Sequence, residues 1–136
     1  MATWMNNRVR NAALEDIANR ANQLILMSGD SNVYLTANGA QKLGSVALTP
    51  AAGNGSWIIE DDDGVSGKRR LNLAAVSGIS ITVSGTVTHY GFARSTVGEQ
   101  DVYVISPLAA GVAVTAGGTH NVNAFTLLRT PDVTLE

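Results

Sequence analysis

The chain has 136 residues, 45 % of them hydrophobic and 15 % charged, with a formal net charge of −2 and no cysteine. That length fits one domain with a sizeable core; the weak negative charge gives no basic field to draw nucleic acid, and the missing thiol excludes disulfides, thiolate metal sites and thiol catalysis. A charged share well under the usual quarter or so suits either a Thr/Ser/Asn-coated β domain or a protein that hides surface in an assembly. No apolar run approaches membrane-spanning length, and "MATWMNNRVRNAALEDI" lacks the uninterrupted apolar stretch of a signal peptide, so the sequence reads as made in a cytoplasm.

Residues 3 to 27 read as the one long helix. Met5, Val9, Ala13, Ile17, Ala21 and Ile25 recur every four residues, Leu14 and Ala18 widen the stripe, and "SGD" at 28 to 30 supplies a glycine stop. Such a helix either packs on its own domain or docks on a neighbour. Two features favour docking. Arg8 and Arg10 fall in the first turns, where the helix dipole favours acids, and the apolar Trp4 and Met5 precede them where termini are normally polar.

After Gly29, short Val/Ile/Thr-rich runs alternate with Gly/Asn/Ser/Asp clusters, the pattern of antiparallel strands and tight turns. Candidate strands are "NVYLT", "KLGSVALT", "SWIIE", "RLNLAAV", "ISITVSGTVTHYGFARS", "DVYVIS", "GVAVTA" and "HNVNAFTLL". Asn38-Gly39, "AAGNGS", "DDDGVSG", "TVGEQ" and "AGGT" are the turns between them. Seven or eight strands at this spacing predict a mainly β fold, an antiparallel β-sandwich or jelly-roll-like barrel with one N-terminal helix. The chain reads as a single domain, 1–136, with 1–28 as helix and docking arm and 29–136 as β body.

The stretch that most resembles chemistry is "SGTVTHYGFARS", residues 84 to 95. Its alternation is that of a strand, and it places His89 with Val87, Gly91 and Ala93 as a partly buried, hydrogen-bonded histidine, with a bulge expected at Gly85. No G-x-S-x-G elbow offers a nucleophile, so the chain reads as a non-enzyme with no catalytic residue. His120, in "GGTHNVN", reads as a solvated turn histidine, and the two histidines lack a third ligand at telling spacing. "DDGVSGKR" has neither the first glycine nor the Ser/Thr of a phosphate loop. Asp61, Asp62 and Asp63 are consecutive, so their side chains diverge in an extended backbone rather than converge on calcium. They read as an acidic hairpin tip that Lys68, Arg69 and Arg70 neutralise across the two arms, or that pairs with a neighbouring copy. No cofactor and no metal is expected.

The order of parts carries a resemblance. "RNAALEDIANRAN", then "KLGSVALTPAAGNG", then "VSGTVTHYGFARS", then "PLAAGVAVTAGGTHNVNAFTL" together resemble a group of small virion proteins encoded among the structural genes of tailed bacteriophages. Those proteins pair an "RNA-L-A-A" helix with an "SGTAT-(H/W)-(aromatic)" strand and a terminal "V-(T/S)-A-G-(G/D)-T-V-x-V" hairpin. The likeness covers most of the chain but not "EDDDGVSGKRRLNLAAVSG". It implies a virion location and a structural role: a capsid decoration (cement) subunit docked on the head lattice, or a neck or tail accessory. A glycan-binding β-sandwich module is the remaining alternative. The partners so implied are further copies of the chain, a trimer by analogy with decoration on local threefold axes, and the major capsid protein or other virion proteins; no nucleic acid or membrane partner is expected. The candidate interface residues are Trp4, Met5, Arg8, Arg10, Asp61, Asp62, Asp63, Arg69 and Arg70.

Overall fold

The computed structural model describes residues 7–50, 56–62 and 65–129, with side chains placed outside 7–13, 61–62 and 65–68. In chain order the elements are α1 (Asn7–Arg20), β1 (Gln23–Met27), α2 (Tyr34–Ala37), β2 (Lys42–Ala47), β3 (Trp57–Asp62), β4 (Val65–Leu73), β5 (Val76–Ser80), β6 (Gly85–Arg94), β7 (Asp101–Val114), β8 (Thr119–Val122) and β9 (Phe125–Arg129). Every strand pair among them is antiparallel, so the mainly β class read from the sequence is the observed one.

The chain divides into two compact units, Met1–Asn19 with Thr49–Ala75 and Ala124–Glu136, and Arg20–Leu48 with Val76–Asn123. The first holds the three-stranded sheet β3-β4-β9. Register alternation puts Trp57, opposite Leu73, and Leu71 on one face, all three fully buried, while Ile58, Arg70 and Asn72 take the other. Leu14 and Ala18 of α1 are the unit's other buried apolar residues among those described.

The second unit holds the four-stranded sheet β2-β1-β6-β7 and the ribbon β5-β8. Both faces of its central strand are covered. On one, Tyr34 and Ala37 of α2 pack with Ile25, Met27 and Ala93, and Val102 borders them. The other carries Leu26 beside Tyr90 and Leu24 beside Phe92; the ribbon reaches it, bridging Gly44 to Ile81 at its β5 end and bringing His120 of β8 to Tyr90. Gly117 makes the β7–β8 turn, where a φ of 89° falls in the left-handed region that only glycine adopts freely.

Several local expectations are corrected. The helix ends at Arg20 rather than at residue 27, because Gln23–Met27 is a strand whose Leu24, Ile25, Leu26 and Met27 are all fully buried between β2 and β6. A strand covered on both faces has an unbroken apolar run, which also continues a helical stripe. Asn22 marks the switch: its N–H donates to the Ala93 carbonyl at 3.0 Å, and its side-chain oxygen accepts from the Ser95 N–H at 2.9 Å. "NVYLT" is not a strand but the turn of helix α2, held because the Tyr34 hydroxyl donates to Gln23 at 3.1 Å and Gln23 donates to Asn38 at 2.9 Å. The run from Ile79 to Ser95 is two strands, β5 and β6, separated at 81–84, where the Thr82 and Val83 N–H groups both turn to the Leu43 carbonyl. "DVYVIS" and "GVAVTA" are conversely one strand, β7.

Candidate functional site

The outer face of the β3-β4-β9 sheet brings together four polar side chains of the first unit, Glu60, Arg70, Asn72 and Thr126. In β4, Arg70 and Asn72 alternate with the buried Leu71 and Leu73, so both point outward. Glu60 lies opposite Arg70 on β3, and Thr126 lies opposite Asn72 on β9. Glu60 Oε1 accepts from Arg70 Nε at 3.0 Å, from the guanidinium's Nη2, and from Asn72 Nδ2 at 2.7 Å. Asn72 Oδ1 in turn accepts from the Thr126 hydroxyl at 2.7 Å. The Arg70 and Asn72 hydrogen bonds hold the Glu60 carboxyl below its ordinary value, so it stays ionised and Arg70 keeps its counter-charge. Beside these hydrogen bonds opens a pocket of about 280 Å³, lined by Ile58, Ala74 and Ala124 on its apolar side and by Arg70, Asn72 and Thr126 on its polar side.

The second unit has one aromatic hydrogen bond of note. The Tyr90 hydroxyl and His120 Nε2 are 3.0 Å apart, with the rings tilted at 51°. His120 is thus a half-buried strand residue, which corrects its reading as a solvated turn histidine. His89 is half-buried as expected, its Nδ1 lying 2.8 Å from the Thr88 hydroxyl. Burial lowers the imidazole pKa of His120 and raises the phenol pKa of Tyr90, so both shifts favour the neutral pair. An imidazole depressed below 6.5 makes stability fall as pH drops through 6.5, where the unfolded chain takes up its proton first; a phenol raised above 10.0 makes it fall as pH rises past 10.0. The pair's contribution is therefore complete between these two values. Urea titrations extending well below pH 6.5 should show a shallower acid-side decline in His120→Gln than in the parent; an unchanged decline would mean that His120 is not desolvated.

The residues singled out from the sequence are dispersed. Trp4, Met5 and Asp63 lie outside the described residues. Arg8 and Arg10 fall in the first turn of α1, which contains no acidic residue. Asp61 and Asp62 end β3, with Asp61 in register with Arg69, and Arg70 is paired with Glu60, so the two arms do bring opposite charges together. Asn72, Phe125 and Thr126 were not singled out. The alternation of "RLNL" marks Arg70 and Asn72 as sharing a face, but nothing local places β9 beside them. Among the described residues no three His, Asp or Glu side chains are grouped to hold a metal ion, and no helix is long and apolar enough to cross a membrane. Compared with known proteins, the chain matches no family model, no curated protein and no solved structure.

Proposed function

We propose that this chain is a structural virion protein, a capsid decoration subunit that docks repeatedly on a phage head lattice and has no catalytic role. One surface carries the reading. Strand β7 ends the four-stranded sheet, and Pro107, Ala109, Ala110, Gly111, Val112 and Ala113 along it are exposed and uncharged. Edge strands usually carry charges that discourage association. This one instead has Pro107, which lacks an N–H, and a register shift that leaves Leu108–Gly111 without partners in β6. Those devices oppose open-ended strand addition while leaving the apolar side chains available to a fixed lattice. The order of sequence motifs shared with phage virion proteins and the 15 % charged share support the same reading.

Docking in this reading uses the N-terminal arm as well. Arg8 and Arg10 stand at the positive end of the α1 dipole, an arrangement that a neighbour's carboxylates relieve. Aromatic and arginine side chains most often dominate interfaces, which assigns Trp4 the anchoring part. Deleting residues 1 to 10 removes this arm and keeps Leu14 and Ala18, the buried positions among the described side chains of α1. The truncated chain is expected to fold and to bind capsid shells, or to form its trimer, at least tenfold more weakly, about 1.4 kcal/mol. Co-sedimentation with shells and sedimentation velocity measure both quantities. Equal assembly by the truncated chain refutes the arm, and a monomeric full chain that ignores shells refutes the decoration reading.

A further inference from the structure

We propose that the pocket on the outer face of the β3-β4-β9 sheet is a binding site for a single neutral pyranose residue. This site is independent of the β7 strip and stands whether or not the chain coats a capsid. Its shape comes first. The pocket holds about 280 Å³, at the small end of ligand sites, and its two sides differ in chemistry. Ile58, 46 % exposed, together with Ala74 and Ala124 offers apolar surface, whereas Asn72 and Thr126 offer hydrogen-bonding groups from the neighbouring strands. A pyranose has the matching division, one patch of C–H groups on the ring face and hydroxyls around its rim.

The electrostatics select against charged ligands. Arg70, the charged residue lining the pocket, is bonded to the ionised Glu60 carboxylate, so its charge is already countered where an anion would approach, and an ammonium group meets a guanidinium. Neither arm of this pair adds much to stability at such exposure, with side chains 24 % and 44 % exposed. Its consequence is orientation. Glu60 draws one N–H of the Asn72 amide at 2.7 Å, and Asn72 Oδ1 takes the Thr126 proton at 2.7 Å. The fixed amide therefore keeps a second N–H to donate, and the Thr126 oxygen keeps its lone pairs to accept. One donor and one acceptor on adjacent strands suit two vicinal hydroxyls, each of which donates and accepts.

The test uses the full chain, labelled with nitrogen-15, titrated separately with the methyl glycosides of glucose, galactose, mannose and N-acetylglucosamine and with inorganic phosphate. At least one glycoside is expected to give saturable shifts confined to the Asn72 side-chain amide and the backbone amides of Ile58, Leu73 and Thr126. Thr126→Val keeps the side chain's shape and should weaken that binding at least fivefold; Asn72→Ala should weaken it at least tenfold. If Asn72→Ala disturbs the amide spectrum of the sheet, the Thr126→Val result alone decides. Arg94→Gln, in the other unit, should leave binding unchanged. The proposal is overturned if no glycoside shifts these residues, if phosphate shifts them more strongly than every glycoside, or if folded Thr126→Val binds as tightly as the parent.

Discussion

Replacing Trp57 by alanine should destabilise the protein by about 3–5 kcal/mol, the range for deleting a fully buried large aromatic side chain. The same truncation at Ile58, one residue on, should cost about 1 kcal/mol or less, because that side chain is 46 % exposed on the opposite face of the sheet. The pair tests register as well as burial. A one-residue slip moves every side chain of a strand to the other face, so a slipped β3 would invert the two costs. Urea denaturation followed by far-ultraviolet circular dichroism measures both, since loss of Trp57 removes one of the two tryptophans that fluorescence would report. A larger loss at Ile58 than at Trp57 would refute the pairing of Trp57 with Leu73.

Gly44→Ala should be costly for the addition of a single methyl group. A Cβ at this position would stand 2.4 Å from the Ser80 carbonyl oxygen, a backbone atom that cannot swing aside. Relief requires β5 to move away from β2, at a cost near or above the upper end of the ~1–3 kcal/mol typical of overpacking. Gly91→Ala is the control. Its Cβ would lie 2.5 Å from Met27 Sδ, and a thioether can change rotamer, so that variant should lie near the lower end. Hydrogen exchange localises the effect. The Thr82 and Val83 N–H groups donate to Leu43 O at 2.8 and 3.2 Å, and their exchange should accelerate in Gly44→Ala while the β1–β6 amides stay protected. Uniform acceleration across both sheets would mean that the methyl group acts on the whole unit rather than on this one approach.

Where local pattern and final environment agree, the sequence sufficed. The alternation of "SWIIE" and "RLNL" already separates Trp57, Leu71 and Leu73 from Ile58, Arg70 and Asn72, and the glycines of "TVGEQ" and "AGGT" already mark tight turns, because these features depend only on neighbouring residues. The antiparallel β class follows from the same short-range signals, as does the opposition of acids and arginines across the β3–β4 hairpin. The remainder was decided by long-range pairing. "QLILM" satisfies a helical stripe and a fully buried strand equally well, and only its place between β2 and β6 made it β1. "NVYLT" has strand propensity, yet coiling lets Tyr34 and Ala37 cover Ile25 and Met27, and burial outweighs so small a local preference. Tyr90 meets His120 across thirty residues, and Asn72 meets Thr126 across fifty-four. Such meetings depend on which strands pair and which faces turn together, and that is an outcome of closing the whole core rather than of any local run of residues.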